Sequence, residues 1–198
     1  MIALIDYGVG NLFSLRSSFK AAGYEVTVTS DPDDVAHADR VILPGVGAFA
    51  DARAKLREKG MDEAVVQAAK AGTPLMGICL GHQMLFETAL EKGEHEGLGL
   101  FGGTVRPIET GLKVPQIGWN RLDFTDHPLF SYIENGDYAY FLHSYWADPT
   151  DPSIVIATCE YGAPLTAAVA RDNVIGCQFH PEKSAAVGQK ILKAFCEL

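Results

Sequence analysis

The chain has 198 residues, of which 47% are hydrophobic and 21% charged, and its formal charge is -9. That length builds one sizeable core rather than two, and the composition is that of an ordinary soluble globular protein. The acidic balance and the lack of any long Lys/Arg run exclude a nucleic-acid partner, and no apolar stretch approaches the ~18 residues that would span a membrane.

The first half alternates short apolar strands with helical patterns. Ile2 to Tyr7 reads as a buried strand, and Leu12, Leu15, Phe19 and Ala22 then recur at helical spacing until Gly23. Tyr24–Ser30 and Val41–Pro44 are the next strands. Helices are expected over 48–59 and 62–71, a strand over Pro74–Ile78, and a helix from Leu80 to Leu90. Apolar strands separated by helices imply a mainly parallel sheet covered on both faces. After Gly97 the strands shorten and turn residues multiply, which predicts an antiparallel portion. It includes a hairpin at Asp172-Asn173 joining Leu165–Arg171 to Val174–Phe179, and a final helix runs over 184–197. No repeat, low-complexity tract or linker divides the chain, so one α/β domain over 1–198 is expected.

The N-terminal MIALIDYGVGN lacks a basic region followed by a long apolar core, which fits a soluble cytoplasmic protein. The four cysteines form no C-x-x-C pair, so free thiols are expected. The six histidines show no metal-ligand spacing, and His180-x-Glu182 lacks the P-C-x-x-C partner of a zinc deaminase, so no metal and no cofactor are expected. Gly8 and Gly10 follow the first strand as G-x-G, but the third glycine of a dinucleotide fingerprint is missing.

Three short stretches carry the chemistry. In GICLGHQ (77–83), Cys79 lies between Gly77 and Gly81 where a buried strand meets a helix, the position of a nucleophile elbow. The flanking glycines suit a turn too crowded for side chains, and the N–H groups of the following helix favour a thiolate. A buried, inert cysteine at a helix start fits the same residues. In Gln178-Phe-His-Pro-Glu182, the residue before proline is held extended, so His180 and Glu182 are expected on one side, with the carboxylate orienting the imidazole. A plain surface corner is the alternative there. Both stretches end strands, where the catalytic groups of open α/β sheets gather. Oxyanion donors would be the N–H of Leu80 and one from Pro44-Gly-Val-Gly47. These residues do not by themselves separate amide, ester and peptide substrates.

Together GICLGHQ, PGVGAF and QFHPEKS resemble the class I (triad) glutamine amidotransferases. DYGVGN, PGVG, GWN (118–120) and FLHSY (141–145) look, more narrowly, like the glutaminase subunits of imidazole glycerol phosphate synthases. The resemblance runs essentially end to end. It implies a flavodoxin-like glutaminase in which Cys79 attacks the side-chain amide of L-glutamine, His180 shuttles protons and Glu182 orients it. Val46 and Leu80 N–H would hold the oxyanion, and Gly45, Gly47, Gln83, Ser144 and Tyr145 would bind substrate. Ammonia would pass to a (β/α)8-barrel cyclase subunit faced by Asn11, Trp119 and Lys183, for histidine biosynthesis. The resemblance further implies that the Gly45–Val46 peptide must reorient before its N–H reaches the oxyanion, so that the isolated chain works slowly. One departure stands out, Gln116-Ile117 where the family shows His-Met, and it is expected to bear on the partner face. The glutaminase of another biosynthetic amidotransferase and a non-catalytic flavodoxin-like module are the rival readings.

Overall fold

The computed structural model describes residues 1–198. Its first half runs β1 (Ile2–Ile5), α1 (Leu12–Ala21), β2 (Val26–Thr29), α2 (Pro32–Ala36), β3 (Arg40–Leu43), α3 (Phe49–Glu58), α4 (Met61–Lys70), β4 (Leu75–Ile78) and α5 (Leu80–Met84). The second half adds β5 (Phe86–Ala89), β6 (His95–Glu96), β7 (Phe101–Pro107), β8 (Gln116–Arg121), β9 (Asp123–Phe124), β10 (Tyr138–His143), β11 (Tyr145–Pro149), β12 (Val155–Glu160), β13 (Pro164–Arg171), β14 (Val174–Cys177) and α6 (Ala185–Glu197). No helix is long and apolar enough to cross a membrane.

Eight strands form the main sheet in the order β2-β1-β3-β4-β14-β13-β12-β9, and a β10-β8 pair and a β11-β7-β5-β6 sheet complete the fold. From β2 to β14 the neighbours are parallel, and from β14 to β9 they are antiparallel. The mixed sheet and the Asp172-Asn173 hairpin expected from the sequence are therefore present. Alternate residues of the parallel strands enter different cores. Leu4, Ile42, Met76 and Ile175 pack with Phe19 of α1 and with Leu192 and Phe195 of α6, whereas Ala3, Val41, Leu75 and Val174 pack with Leu56 of α3 and Val65 of α4. That two-sided burial is why these strands read as unbroken apolar runs.

The helix expected over 80–90 is wrong in its second half. It stops at Met84, and Phe86–Ala89 pairs in parallel with β7, Phe86 against Phe101 and Ala89 against Val105. Phe86 and Ala89 are buried, and this pairing overrides the helix pattern. Helix α2 was not expected, although Asp31 caps it by accepting from Asp33 N at 3.0 Å and Pro32 occupies its first turn.

One buried group behind the sheet's C-terminal edge has a pH consequence. His82 is fully buried edge-on to Phe86, neither ring nitrogen has a hydrogen-bond partner, and a Cβ on Gly176 would overlap its Nδ1. Burial, and secondarily His143, lowers its pKa from 6.5 to about 3. The folded chain thus holds His82 neutral while the unfolded chain protonates it, so its contribution to stability is present above about pH 6.5 and is lost on acidification toward about pH 3. Urea titrations from neutral to acid pH should show His82→Leu losing less stability than the parent, by up to about 1.4 kcal/mol per pH unit over that window.

Candidate active site

β3, β4 and β14 are neighbours, and their C-terminal ends meet at one place. Gly77 pairs with Gly176 and Ile78 with Cys177, so the next residues, Cys79 and Gln178, leave adjacent strands side by side, with Cys79 N donating to Cys177 O at 2.8 Å. Cys79 takes φ 53° and ψ -108°, a conformation that costs a non-glycine residue of the order of 1–3 kcal/mol. The flanking glycines are required by close approach. A Cβ on Gly81 would overlap Leu43 O, and one on Gly77 would lie 2.8 Å from Gly81 O. The helix opened by Cys79 is only five residues long, so its dipole is a smaller aid to the sulfur than a full helix would be. Cys79 Sγ lies 3.9 Å from Leu142 O and accepts from Gln178 Nε2 at 3.8 Å.

His180 and Cys79 both line a cavity of about 270 Å³. His180 Nδ1 is 2.8 Å from Glu182 Oε1, and both side chains are buried. The backbone before Pro181 is extended as expected, but Pro181–Lys183 then coils into a 3-10 turn. Glu182 therefore reaches the ring because the chain turns back, not because residues alternate along a strand. Two further bonds fix this turn: His180 N donates to Tyr140 O at 2.9 Å, and Ser184 Oγ donates to His180 O at 2.7 Å. Burial, the largest single influence, lowers the His180 pKa. The hydrogen bond to Cys79 and its charge, followed by those of Glu182, outweigh burial and raise the pKa from 6.5 to about 10. The sulfur's charge and the Glu182 carboxylate therefore favour protonation of the ring.

The two expected oxyanion donors do not converge. Leu80 N donates to Gly45 O at 3.4 Å, so the Gly45–Val46 peptide turns its carbonyl toward the site, and the N–H of Val46, trans to that carbonyl, points away. The cause lies on both sides of the peptide. Buried Tyr7 donates its hydroxyl to Pro44 O at 2.8 Å, and Phe49 N beyond the loop donates to Glu91 Oε2 at 2.7 Å. Gly47 sits at φ +94°, a conformation open to glycine. A Cβ on Gly45 would lie 2.7 Å from Gly81 N, so loop and elbow interlock through their backbones.

Gln83, Ser144, Tyr145, Val46, Gly47 and Leu80 line the cavity, and Gly45 is not among its lining residues. Gln83 Nε2 donates to Tyr145 O at 2.8 Å and to Gln178 Oε1 at 3.0 Å. His143 also lines the cavity and lies 2.8 Å from Tyr145 O through Nδ1. Its Nε2 is 2.8 Å from the amide of Gln116, which is buried. Gln116 therefore bears on the pocket wall and not, as expected, on an outer face, and only Ile117 of that departure is exposed. Sequence reasoning missed Glu91, His143 and Gln178. Glu91 lies just past the expected 80–90 helix and was given no role, and Gln178 was quoted with its motif but given none.

The three residues assigned to a partner gather at one side. Trp119, half exposed, meets Tyr140 edge-on at 6.0 Å, and Lys183 Nζ lies 5.7 Å from the same ring. Asn11 caps α1 by accepting from Ser14 N at 3.3 Å, and α1 packs on the turn that carries Lys183.

A sequence model of class I glutamine amidotransferases matches residues 3–197. The chain belongs to that family. Among curated relatives of this amidotransferase, an imidazole glycerol phosphate synthase subunit HisH of Dehalococcoides mccartyi is 47% identical, with 100% of this chain and 97% of the relative covered. The subunit HisH of Moorella thermoacetica is 48% identical, with 100% and 94% covered. Two solved structures share the amidotransferase fold at low identity. One described as a glutamine amidotransferase has a TM-score of 0.80 at 19% identity over 100% of this chain and 98% of its own. The Thermotoga maritima PurLQS structure has 0.79 at 21% over 99% and 97%.

The orientation of the Gly45–Val46 peptide predicts how the isolated amidotransferase responds to substitution in its loop. Val46→Gly eases rotation of that peptide and should raise the unpartnered chain's rate of glutamate release from glutamine by about two- to five-fold, read in a coupled glutamate assay.

Proposed function

We propose that this chain is the glutaminase subunit of an imidazole glycerol phosphate synthase. It hydrolyses L-glutamine and hands the ammonia to a cyclase subunit that makes imidazole glycerol phosphate and aminoimidazole carboxamide ribotide in histidine biosynthesis. The observation that carries the reading is the buried His180–Glu182 pair facing a strained Cys79 at adjacent strand ends. Full-length likeness to subunits named HisH supports this branch over other amidotransferases. In this reading residues 1–198 act as one cytoplasmic amidotransferase domain.

The chemistry follows from the geometry. Cys79 gives its proton to His180 and attacks Cδ of the glutamine side chain, forming a carbon–sulfur bond. The tetrahedral oxyanion collapses, the C–N bond breaks, and His180 delivers its proton to the leaving nitrogen, which departs as ammonia. Water then attacks the thioester with His180 taking its proton, and glutamate and the thiol are regenerated. Glu182 favours the imidazolium in both halves. Leu80 N–H and Val46 N–H serve the oxyanion once the Gly45–Val46 peptide has turned, and the cyclase subunit is the agent that turns it. The (β/α)8 barrel of that subunit docks on the side carrying Asn11, Trp119 and Lys183. Gly47 gives the loop its freedom, Gly45 lets it pack against the elbow, and Ser144 and Tyr145 hold the glutamine backbone. Glu91 Oε1, on the cavity wall, receives the α-ammonium.

Purified chain with and without a cyclase subunit, supplied with glutamine and assayed for glutamate, tests the reading. Cys79→Ala should lower the rate by at least about 10³-fold, and an active Cys79→Ala protein would remove the nucleophile from the mechanism. Glu182→Gln should cost about 10- to 100-fold in kcat and move the His180 titration, followed by NMR, to lower pH. Glu91→Gln should raise KM about tenfold with kcat little changed.

A further inference from the structure

A chain of side-chain amides runs from the pocket wall to the sulfur, and one backbone atom fixes its direction. Tyr145 O can only accept, so the Gln83 atom 2.8 Å from it is the amide nitrogen. That nitrogen's second hydrogen goes to Gln178 at 3.0 Å, so the Gln178 atom there is the oxygen. Gln178 consequently turns its own N–H to Cys79 Sγ, 3.8 Å away. The Gln178 side chain is wholly buried, and its backbone N–H is anchored on Ala167 O at 2.8 Å. It has no freedom to swing away without leaving a buried amide unpaired. With both hydrogens of Gln83 Nε2 committed, the group that Gln83 offers the cavity is its carbonyl oxygen, an acceptor.

We propose that Gln178 is a catalytic residue of this site: its amide N–H donates to the Cys79 sulfur, and its carbonyl oxygen orients Gln83 so that an acceptor meets the N–H donors of the substrate. Resting on the glutaminase reading for its substrate, the assignment adds a donor to the nucleophile that the Cys-His-Glu set does not contain. A donor aimed at the sulfur stabilises the negative charge that gathers there before attack and again when the thioester breaks. Because successive amides polarise one another, the bond at Tyr145 strengthens the bond at the sulfur. An acceptor on the wall meets a carboxamide NH2 or an α-ammonium well, and meets a carboxylate oxygen badly. That difference favours entry of glutamine over retention of glutamate.

The test uses the intact chain and a probe that needs no substrate recognition, iodoacetamide at neutral pH, with mass spectrometry of the Cys79 peptide. Burial first of all pushes the thiol of Cys159 up to about 11, that of Cys196 up to about 12 and that of Cys177 well above its ordinary value, so alkylation under these conditions reads Cys79. Gln178→Met, which keeps the length and apolar packing of the side chain, should slow alkylation of Cys79 by about five- to ten-fold. Gln83→Met, which leaves Gln178 in place, should change it by less than about twofold while raising KM for glutamine. Should Gln178→Met fail to give the parent's circular dichroism, Gln178→Asn withdraws the amide from the sulfur by one methylene and should slow alkylation in the same direction. Unchanged alkylation in folded Gln178 variants, or equal slowing by Gln83→Met, overturns the assignment. Since no glutamine enters this measurement, its outcome is separate from that of the glutaminase assay.

Discussion

Parallel pairing of β4 with β14 places Gly77 opposite Gly176 and Ile78 opposite Cys177, so that two strands far apart in the chain stop at the same height. Everything reactive depends on that level ending. Cys79 turns off one strand into α5, and Gln178–Glu182 leaves the other, so Cys79 and His180 are brought to one cavity by the sheet ladder. Backbone ladders of this kind hold groups more accurately than side-chain contacts, which is what a reacting geometry demands. β3 ends on the other side of β4, which brings the Pro44–Gly47 loop to the same edge.

Around this edge the chain tolerates an unusual density of buried polar groups. His82 sits neutral and unpartnered, Glu182 Oε2 has no partner, and His143 is lowered to about 4, first by burial and later by the charge on His180. His180 alone is pushed the other way. The contrast between two histidines of one cavity separates their roles: His143 holds the pocket wall through Tyr145 O, and His180 carries a proton. Tyr145 O faces both His143 and Gln83, and thus ties the wall to the amide chain that reaches the sulfur.

Much of this was legible in the residues. Apolar strand runs announced the parallel half, Asp172-Asn173 announced the hairpin, and G-x-C-x-G with Q-F-H-P-E marked the strand ends. What sequence could not carry was orientation and partnership. Phe86–Ala89 kept a helical pattern but found a parallel partner in β7, a contact no local pattern encodes. Leu80 N–H and Val46 N–H were expected to hold the oxyanion, and both residues line the cavity, yet a peptide plane can face either way at little cost in sequence. Gln116 was assigned with Ile117 to the partner face because the two together replace the family's His-Met beside Trp119. In a strand the next residue faces the opposite way, and Gln116 points inward to His143.

The interlock of Gly45, Gly77 and Gly81 is made between main chains, whereas the lining of the cavity by Gln83, Glu91, Ser144 and Tyr145 is made by residues around it. The backbone interlock that aims the thiol is thus distinct from the side chains that line the cavity, of which only Gln83 is linked through Gln178 to the sulfur. Such a division lets a lineage, or a designer, rewrite selectivity at the wall one side chain at a time while the aim of the sulfur stays locked. Any enlargement of the three glycines removes both at once.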